Sequence, residues 1–569
     1  MQVIRSPKVW DVVVIGSGAG GGTAVQVLTQ HGVEVALLEA GEMIDPLVDF
    51  KEHVWPYEVD HRGAFPGGAS YFGNAPYGYF NAPNGFWSID EEPYTVAPGN
   101  EFQWFRSRVL GGRTNHWGRI SLRFSDYDFM PYSMDGLGAD WPITYDDVAP
   151  YYEKAERFIG ITGSREGLRT APDGVFQPAP PPKVHEALIQ KACGKLGIPC
   201  IPNRRAVITR RLNGRAPCHY CGQCWRGCQS ASNYSSSNVQ ILPALETGKL
   251  EIFTGAMARE ILVDENARVV GVSYVDKATR SEQTIRCRAV VVAASACETS
   301  RLLLNSQSPR FPKGLANDSG VVGRFLMDTV GFGLWGTVPA LEGMPIYNTD
   351  GVGSAHLYMP WWELDKPNKD FPRGYHIEIG GGYGMPGLGS FQGTVNRYGG
   401  WGKELKERIR ARYGTTIALE GRGEMIPNNM SYCEIDPAVT DDWGIPVLRF
   451  HFQWTDYEWK QARHMERTFR DIIETMGGEV GGLSAPGREG RGISIGGSII
   501  HELGTARMGK DPRTSAVNGW GQAHEVANLF LADASTFVSN PDKNPTLTIQ
   551  ALSWRTSDYL ADKLKKGEL

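Results

Sequence analysis

A glycine-rich turn near the start of the chain, Gly16-Ser-Gly18-Ala-Gly-Gly21, leaves few options for the fold around it. It follows an apolar, β-branched run at 11–16 (DVVVIG) that reads as a buried strand. It precedes a stretch in which Ala24, Val27 and Leu28 share one helical face. Gly32 suits the position just past a helix end, and a second strand is predicted over 33–39. Together these make a βαβ unit. Gly16, Gly18 and Gly21 let the backbone approach a pyrophosphate at the helix N-terminus, and Glu39 is placed to accept hydrogen bonds from a ribose. The context predicts a dinucleotide site. The turn does not separate FAD from NAD, and without its context it would suit a tight turn beside a surface acid.

At 569 residues the chain exceeds what one hydrophobic core serves, so two or more folded units share it. With 41% hydrophobic and 21% charged residues, a disordered protein is excluded. A formal charge of -5 leaves no basic surplus for a phosphate backbone, which argues against nucleic acid as a partner. No apolar run approaches the roughly 18 residues a bilayer needs, so no direct membrane span is expected. The first ten residues run into the first strand without room for a signal peptide, so self-directed export is not expected.

The pattern along the chain predicts an opening domain that is interrupted and later closed. Residues 1–150 form its first part, including Gly-, Pro- and Asn-rich loops at 45–106 that cover a cofactor. Residues 151–215 form a cap, 216–330 a cysteine segment and a second part, 331–490 a substrate-binding unit, and 491–569 the closing part. Capping boxes at Thr144–Asp147 and Thr455–Glu458 mark helix starts. Strands are expected within 250–276, 284–293, 375–379, 447–452 and 528–533, and helices at 298–305 and from Asn544-Pro545 to about 564.

Four of the nine cysteines, Cys218, Cys221, Cys224 and Cys228, have C-x2-C-x2-C-x3-C spacing, which is cluster or metal spacing and no disulfide framework. Four thiolates so placed can wrap an iron–sulfur cubane, although Gln229 stands where the ferredoxin run has proline. Zinc also takes four thiolates, usually from pairs set farther apart, and a purely structural group is the bland alternative. The other five read as packed thiols. Taken without further context, His501 is one of twelve histidines and Asn544 an ordinary helix N-cap.

The whole set of motifs resembles the glucose-methanol-choline (GMC) family of flavin oxidoreductases. The residues are GSGAGGG at 16–22, LLEAG at 37–41, RVLGGRTNHWG at 108–118, VVVAASACETSRLLL at 290–304, HELGTARMG at 501–509, and NLFLADAS with NPTLT at 528–548. The resemblance implies an α/β plus α+β architecture. A Rossmann-like FAD-binding domain of the GMC type would carry an inserted substrate domain built on an antiparallel sheet with helices. It implies FAD in place of nicotinamide, with Gly111, Gly112, Asn115, His116, Asp533, Pro545 and Thr546 joining the glycine turn and Glu39 around the cofactor. His116 matches the position at which some sugar-oxidising relatives attach flavin covalently; the motif is equally that of relatives that do not.

The resemblance further implies that His501 and Asn544 are the catalytic pair. Oxidising an alcohol by hydride transfer to flavin N5 requires a base for the hydroxyl proton, and neutral histidine suits that task. Asn544 cannot titrate, so His501 would be the sole base and Asn544 would orient the substrate oxygen, with activity rising through about pH 6.5. An iron–sulfur subgroup of the family carries cysteines in this part of the chain, and both three-iron and four-iron clusters stay open. A cluster passes single electrons outward, which favours a dehydrogenase with a cytochrome c acceptor over an oxidase. The implied substrate is a sugar or glucoside, with C3 of glucosides and disaccharides favoured. Gluconate, glucose or other polyols, or an oxygen-using sugar oxidase, are the alternatives. A small subunit bearing an export signal, and with it a periplasmic location, is expected by the same kinship; without that partner the location is cytoplasmic.

Overall fold

The computed structural model describes residues 8–50, 52–53, 58, 85–86, 89–224, 227–345, 350–366, 370–383, 395–396, 398–483 and 492–569. Five parallel strands build the first sheet, in the spatial order Leu250–Phe253, Val35–Leu38, Val9–Ile15, Ser281–Val292 and Leu529–Leu531. Val12, Val13 and Val14 of the central strand are fully buried. A strand covered on both faces has no polar side, which is why its sequence is a continuous apolar run. Ser281–Val292 outruns its parallel neighbours, and its first half pairs antiparallel with Val269–Asp276, which pairs in turn with Ala256–Val263. The helix Ala19–Gln30 follows the first strand, and the final helix, Thr546–Lys566, packs beside it: Ser553 Oγ donates to Gly20 O at 2.7 Å.

The second sheet is antiparallel and draws on distant parts of the chain. Its order is Glu479–Leu483, Val330–Thr337, Thr416–Gly423, Tyr375–Gly381, Leu357–Met359 and Ile201–Pro202. The helix Asp456–Thr475 covers one face. Tyr375 bonds through its hydroxyl to His464 Nδ1 at 2.9 Å, and a Cβ on Gly421 would lie 2.5 Å from Met465 Sδ. Because side chains alternate along a strand, residues between these must point the other way. Glu378 and Gly380, with Glu420 and Arg422 on the neighbouring strand, do so.

Both predicted capping boxes are formed, at Thr144/Asp147 and Thr455/Glu458. The strand expected at 447–452 is Pro446–His451, in a separate small sheet with Tyr432–Thr440 and Thr95–Val96. Most of the expected covering loops at 45–106 fall outside the described residues. Among those described, no helix is long and apolar enough to cross a membrane.

Candidate active site

Where the ends of the parallel strands meet the uncovered face of the antiparallel sheet lies a cavity of about 620 Å³. One wall comes from the glycine turn, Glu39 and Asp533, and the other carries His501, Asn544, Glu378 and Arg422.

The glycines of the turn divide their work. A Cβ on Gly16, whose φ is +92°, would lie 2.5 Å from Ala293 O, and one on Gly21 would lie 1.8 Å from Gly16 O. Those two glycines let backbones touch. A Cβ on Gly18 would meet nothing within 4 Å, since this residue faces the cavity at a helix N-terminus that no side chain caps. Free N–H groups there favour an anion. Glu39 is buried; its Oε2 accepts from Ser17 N at 3.1 Å and its Oε1 from Gly41 N at 2.7 Å. Burial raises its pKa, opposed by the Ser17 and Gly41 hydrogen bonds. Asp533 accepts from Ser295 N at 3.0 Å and Ser535 N at 2.8 Å while lining the same wall. An open glycine at an uncapped helix end, with two buried carboxylates in one large cavity, fits the pyrophosphate and hydroxyl groups of FAD.

Three residues expected at the cofactor have other work. Asn115 spends its amide within the protein, donating from Nδ2 to Leu110 O at 2.9 Å and accepting from Ser237 Oγ at 2.9 Å. Gly111, with φ +91°, is required because a Cβ would lie 2.9 Å from Ser237 Cβ. Neither these two nor Gly21 lines the cavity, whereas Gly112, His116, Pro545 and Thr546 do. His116 is buried, with Nε2 3.0 Å from Ser107 Oγ and Nδ1 unpartnered. Burial lowers its pKa to about 3, with the nearby Arg119 charge adding to the shift.

His501 is held by residues the motifs did not reveal. Its Nδ1 lies 3.0 Å from Thr329 Oγ1, and that hydroxyl can donate onward to Asn540 Oδ1 at 3.4 Å. The chain is satisfied when His501 carries its proton on Nδ1 and Nε2 is bare, the form a base requires. Asp328 fixes the backbone: its carboxylate accepts from Gly497 N at 2.7 Å, Ile499 N at 3.3 Å and His501 N at 3.0 Å. These bonds hold Ile500 at φ +66°, a conformation that costs a β-branched residue roughly 1–3 kcal/mol. Burial, then the Arg422 charge, lowers the His501 pKa to about 3, against the pull of Glu378. The expected rise of activity through pH 6.5 is therefore not assigned to His501, whose imidazole is already neutral well below that value.

Asn544 sits across the same cavity. Its Nδ2 donates to Glu378 Oε1 at 3.2 Å, which fixes the amide's orientation and leaves the buried Oδ1 without a partner. Glu378 and Arg422 carry no motif. The signal that could have found them is the period-two placement of polar and charged residues, 376 and 378 on one strand and 420 and 422 on the next, alternating with apolar or glycine positions.

The four cysteines do not form a ligand set. Among the described residues no group of three or more His, Cys, Asp or Glu side chains converges to hold a metal ion. Three of the four sulfurs have local partners instead: Cys218 Sγ accepts from Tyr220 N at 3.4 Å, Cys224 Sγ from Gly353 N at 3.2 Å, and Cys228 Sγ lies 3.4 Å from Ser230 Oγ. Burial pushes Cys218 up to about 12 and Cys221 to about 11, which favours the protonated form of these two thiols. Residues 225 and 226 of this segment lie outside those described. The buried Arg119 and Arg205 stand near the thiols, with both Nε atoms unpartnered. Ser354, next to Gly353, lines the cavity. Two other pairs of cysteines meet: Cys193 with the nearby Cys200 and, from distant parts of the chain, Cys297 with Cys433.

A parallel sheet with a glycine turn, joined to an antiparallel sheet that faces a His/Asn pair, defines a two-domain flavin oxidoreductase of the kind the motifs resemble. The comparisons agree: residues 11–328 and 427–553 match the N- and C-terminal GMC oxidoreductase family models. The chain belongs to the GMC oxidoreductase family, whose members bind FAD and oxidise CH–OH groups. It is 29% identical over 574 residues to 2-methyl-1,2-propanediol dehydrogenase of Mycolicibacterium austroafricanum, covering 97% of this chain and 95% of that one. It is 28% identical to the fructose dehydrogenase large subunit of Gluconobacter japonicus, over 98% of both chains. In fold it matches the crystal structure of pyridoxine 4-oxidase from Mesorbium loti with a TM-score of 0.62 at 16% identity, covering 97% of this chain and 99% of the other.

Proposed function

We propose that this protein is an FAD-dependent dehydrogenase of a secondary hydroxyl on a sugar or glucoside, with His501 as the base and Asn544 as the group that orients the substrate oxygen. The observation that carries this reading is the pairing, across one cavity, of a histidine whose Nδ1 is engaged by Thr329 with an asparagine whose Oδ1 is buried and unpartnered. FAD, when bound along the glycine-turn wall, supplies the acceptor for the carbon-bound hydride. The hydroxyl proton passes to His501 Nε2. A weakly basic imidazole suffices because that proton turns acidic as the hydride departs. The final helix directs its N-terminus at the cavity through Pro545 and Thr546, which favours negative charge there.

The finer reading is oxidation at C3 of glucosides or disaccharides, with a hexose, gluconate or a small diol as the alternative. The activities for which the two sequence relatives are named support the alternative. Cys218, Cys221, Cys224 and Cys228 are the candidate holders of an iron–sulfur cluster and the exit toward a cytochrome-type acceptor. Their spacing and the buried Arg119 and Arg205, which call for negative charge beside the thiols, support this; the sulfurs as arranged do not. A small export-bearing subunit, a periplasmic location and the division at 150, 215, 330 and 490 belong to the same proposal. The name of the fructose dehydrogenase relative, a large subunit, fits a multi-subunit assembly.

Anaerobic titration with glucosides, fructose, gluconate and diols, followed by identification of the product, tests the reading. The expected result is bleaching of the flavin and a keto product. A protein that binds FAD yet is reduced by none of them overturns it.

A further inference from the structure

We infer that Glu378 is a specificity-determining residue whose carboxylate accepts a second hydroxyl of the substrate, so that the site selects polyhydroxylated molecules over simple secondary alcohols. The inference rests on the His501/Asn544 reading and goes beyond it by assigning a role to the antiparallel sheet.

Three groups converge on this carboxylate: Asn544 Nδ2 donates to Oε1 at 3.2 Å, the Arg422 guanidinium donates to Oε2 at 3.0 Å, and His376 Nε2 lies 3.3 Å from Oε1. A carboxylate has about four acceptor sites, so one remains. The side chain is 15% exposed, and the residue lines the cavity that also holds His501 and Asn544. Burial works against its ionisation, and the Arg422 charge together with the His376 and Asn544 contacts outweighs it, holding the carboxyl well below the usual range. Glu378 is therefore an acceptor that cannot serve as a donor. A hydroxyl hydrogen is the partner a neutral substrate offers it.

The hydroxyl that meets Asn544 Oδ1 and His501 cannot also fill this place, because Asn544 Nδ2 stands between its own Oδ1 and Glu378. The acceptor is thus offset from the reacting oxygen by the width of one amide. A hydroxyl on a neighbouring carbon spans such an offset, whereas a monohydric alcohol leaves the acceptor unfilled. Sites built to bond a substrate hydroxyl reject analogues that lack it far more strongly than apolar pockets reject a methylene.

The test compares 2,3-butanediol with 2-butanol, and methyl glucoside with cyclohexanol, as reductants of the FAD-loaded enzyme under argon. In the wild type the hydroxylated member of at least one pair is expected to lead in kcat/KM by about 100-fold. In Glu378→Gln that ratio is expected to fall by about tenfold or more, through a higher KM for the hydroxylated member. A wild type without this preference overturns the inference. So does a variant that slows both members alike, which would mean that Glu378 acts only through Asn544. A wild type that neither pair nor any sugar reduces marks instead the failure of the underlying active-site reading, visible before any variant is made. Should Glu378→Gln lose its flavin colour, Glu378→Asp gives the same comparison. It keeps the charge beside Arg422 and withdraws the oxygen by one methylene.

Discussion

The two sheets reach the same cavity in different ways. The parallel sheet presents its strand ends, and its contribution comes from short contiguous stretches: the turn at 16–21, Glu39 one residue past the Val35–Leu38 strand, and Asp533 two residues past Leu529–Leu531. The antiparallel sheet presents a face, and its contribution is scattered: Glu378, Glu420 and Arg422 from two paired strands, with Asp328 and Thr329 just before a third. A strand end can be built by one loop, whereas a face exists only once several strands have paired. The parallel wall is accordingly suited to a fixed cofactor shared across a family, and the antiparallel wall to a substrate that differs among its members.

That division of labour predicts separable losses. The largest is His501→Ala, on the antiparallel side, which should keep bound FAD yet slow flavin reduction by about 10²- to 10⁴-fold, measured by stopped flow under argon. Near-normal reduction would remove His501 from the mechanism. Next is Gly18→Val on the parallel side. It should weaken FAD binding by about tenfold or more, about 1.4 kcal/mol, while the apoprotein melts as the wild type does. If flavin affinity is unchanged, the cofactor does not lie against this turn.

The smallest effect belongs to Asp328, where the walls join. Burial, with the Glu502 charge adding to it, raises its carboxyl to about 7 despite the N–H groups it accepts from. Below that pH it takes a proton, and one oxygen can no longer accept freely from the Gly497–His501 backbone. Flavin reduction should therefore fall as pH drops through about 7. In Asp328→Asn this step should vanish from the pH profile; a step that persists belongs to another group. The sign for stability is opposite. The folded state holds this proton more tightly than the unfolded chain, so the contribution to stability declines from the ordinary carboxylate pKa of about 3.9 up to about 7 and is level above it.

Much of the parallel wall was legible in the sequence because its signals are local. An apolar run covered on both faces, glycines where backbones touch, and an acid at a strand end all lie within thirty residues of one another. Even there the roles needed the structure: Gly16 and Gly21 serve packing, Gly18 alone of the three faces the cavity without a backbone in its way, and Asn115 bonds only to protein. The resemblance singled out His501 and Asn544, and the structure sets both on the cavity. It could not supply Thr329 and Asp328, which lie more than 170 residues before the histidine they hold. Nor could it find Glu378, whose importance arises from register with Arg422 and contact with Asn544.

The cysteine segment is the opposite case, a strong spacing that the described structure leaves ungathered. Burial favours the protonated form of Cys218 and Cys221, Cys218 and Cys224 accept from nearby backbone N–H groups, and spacing alone carries no information about that competition. What the amino-acid order settled was the class of protein and the nucleotide end of its site, since neighbouring residues dictate a turn and its helix. Which nitrogen of His501 is bare, how the Asn544 amide is turned and which carboxylate faces the substrate depended on strands pairing across hundreds of residues. Hydrogen-bond partners and burial come into being only with that pairing.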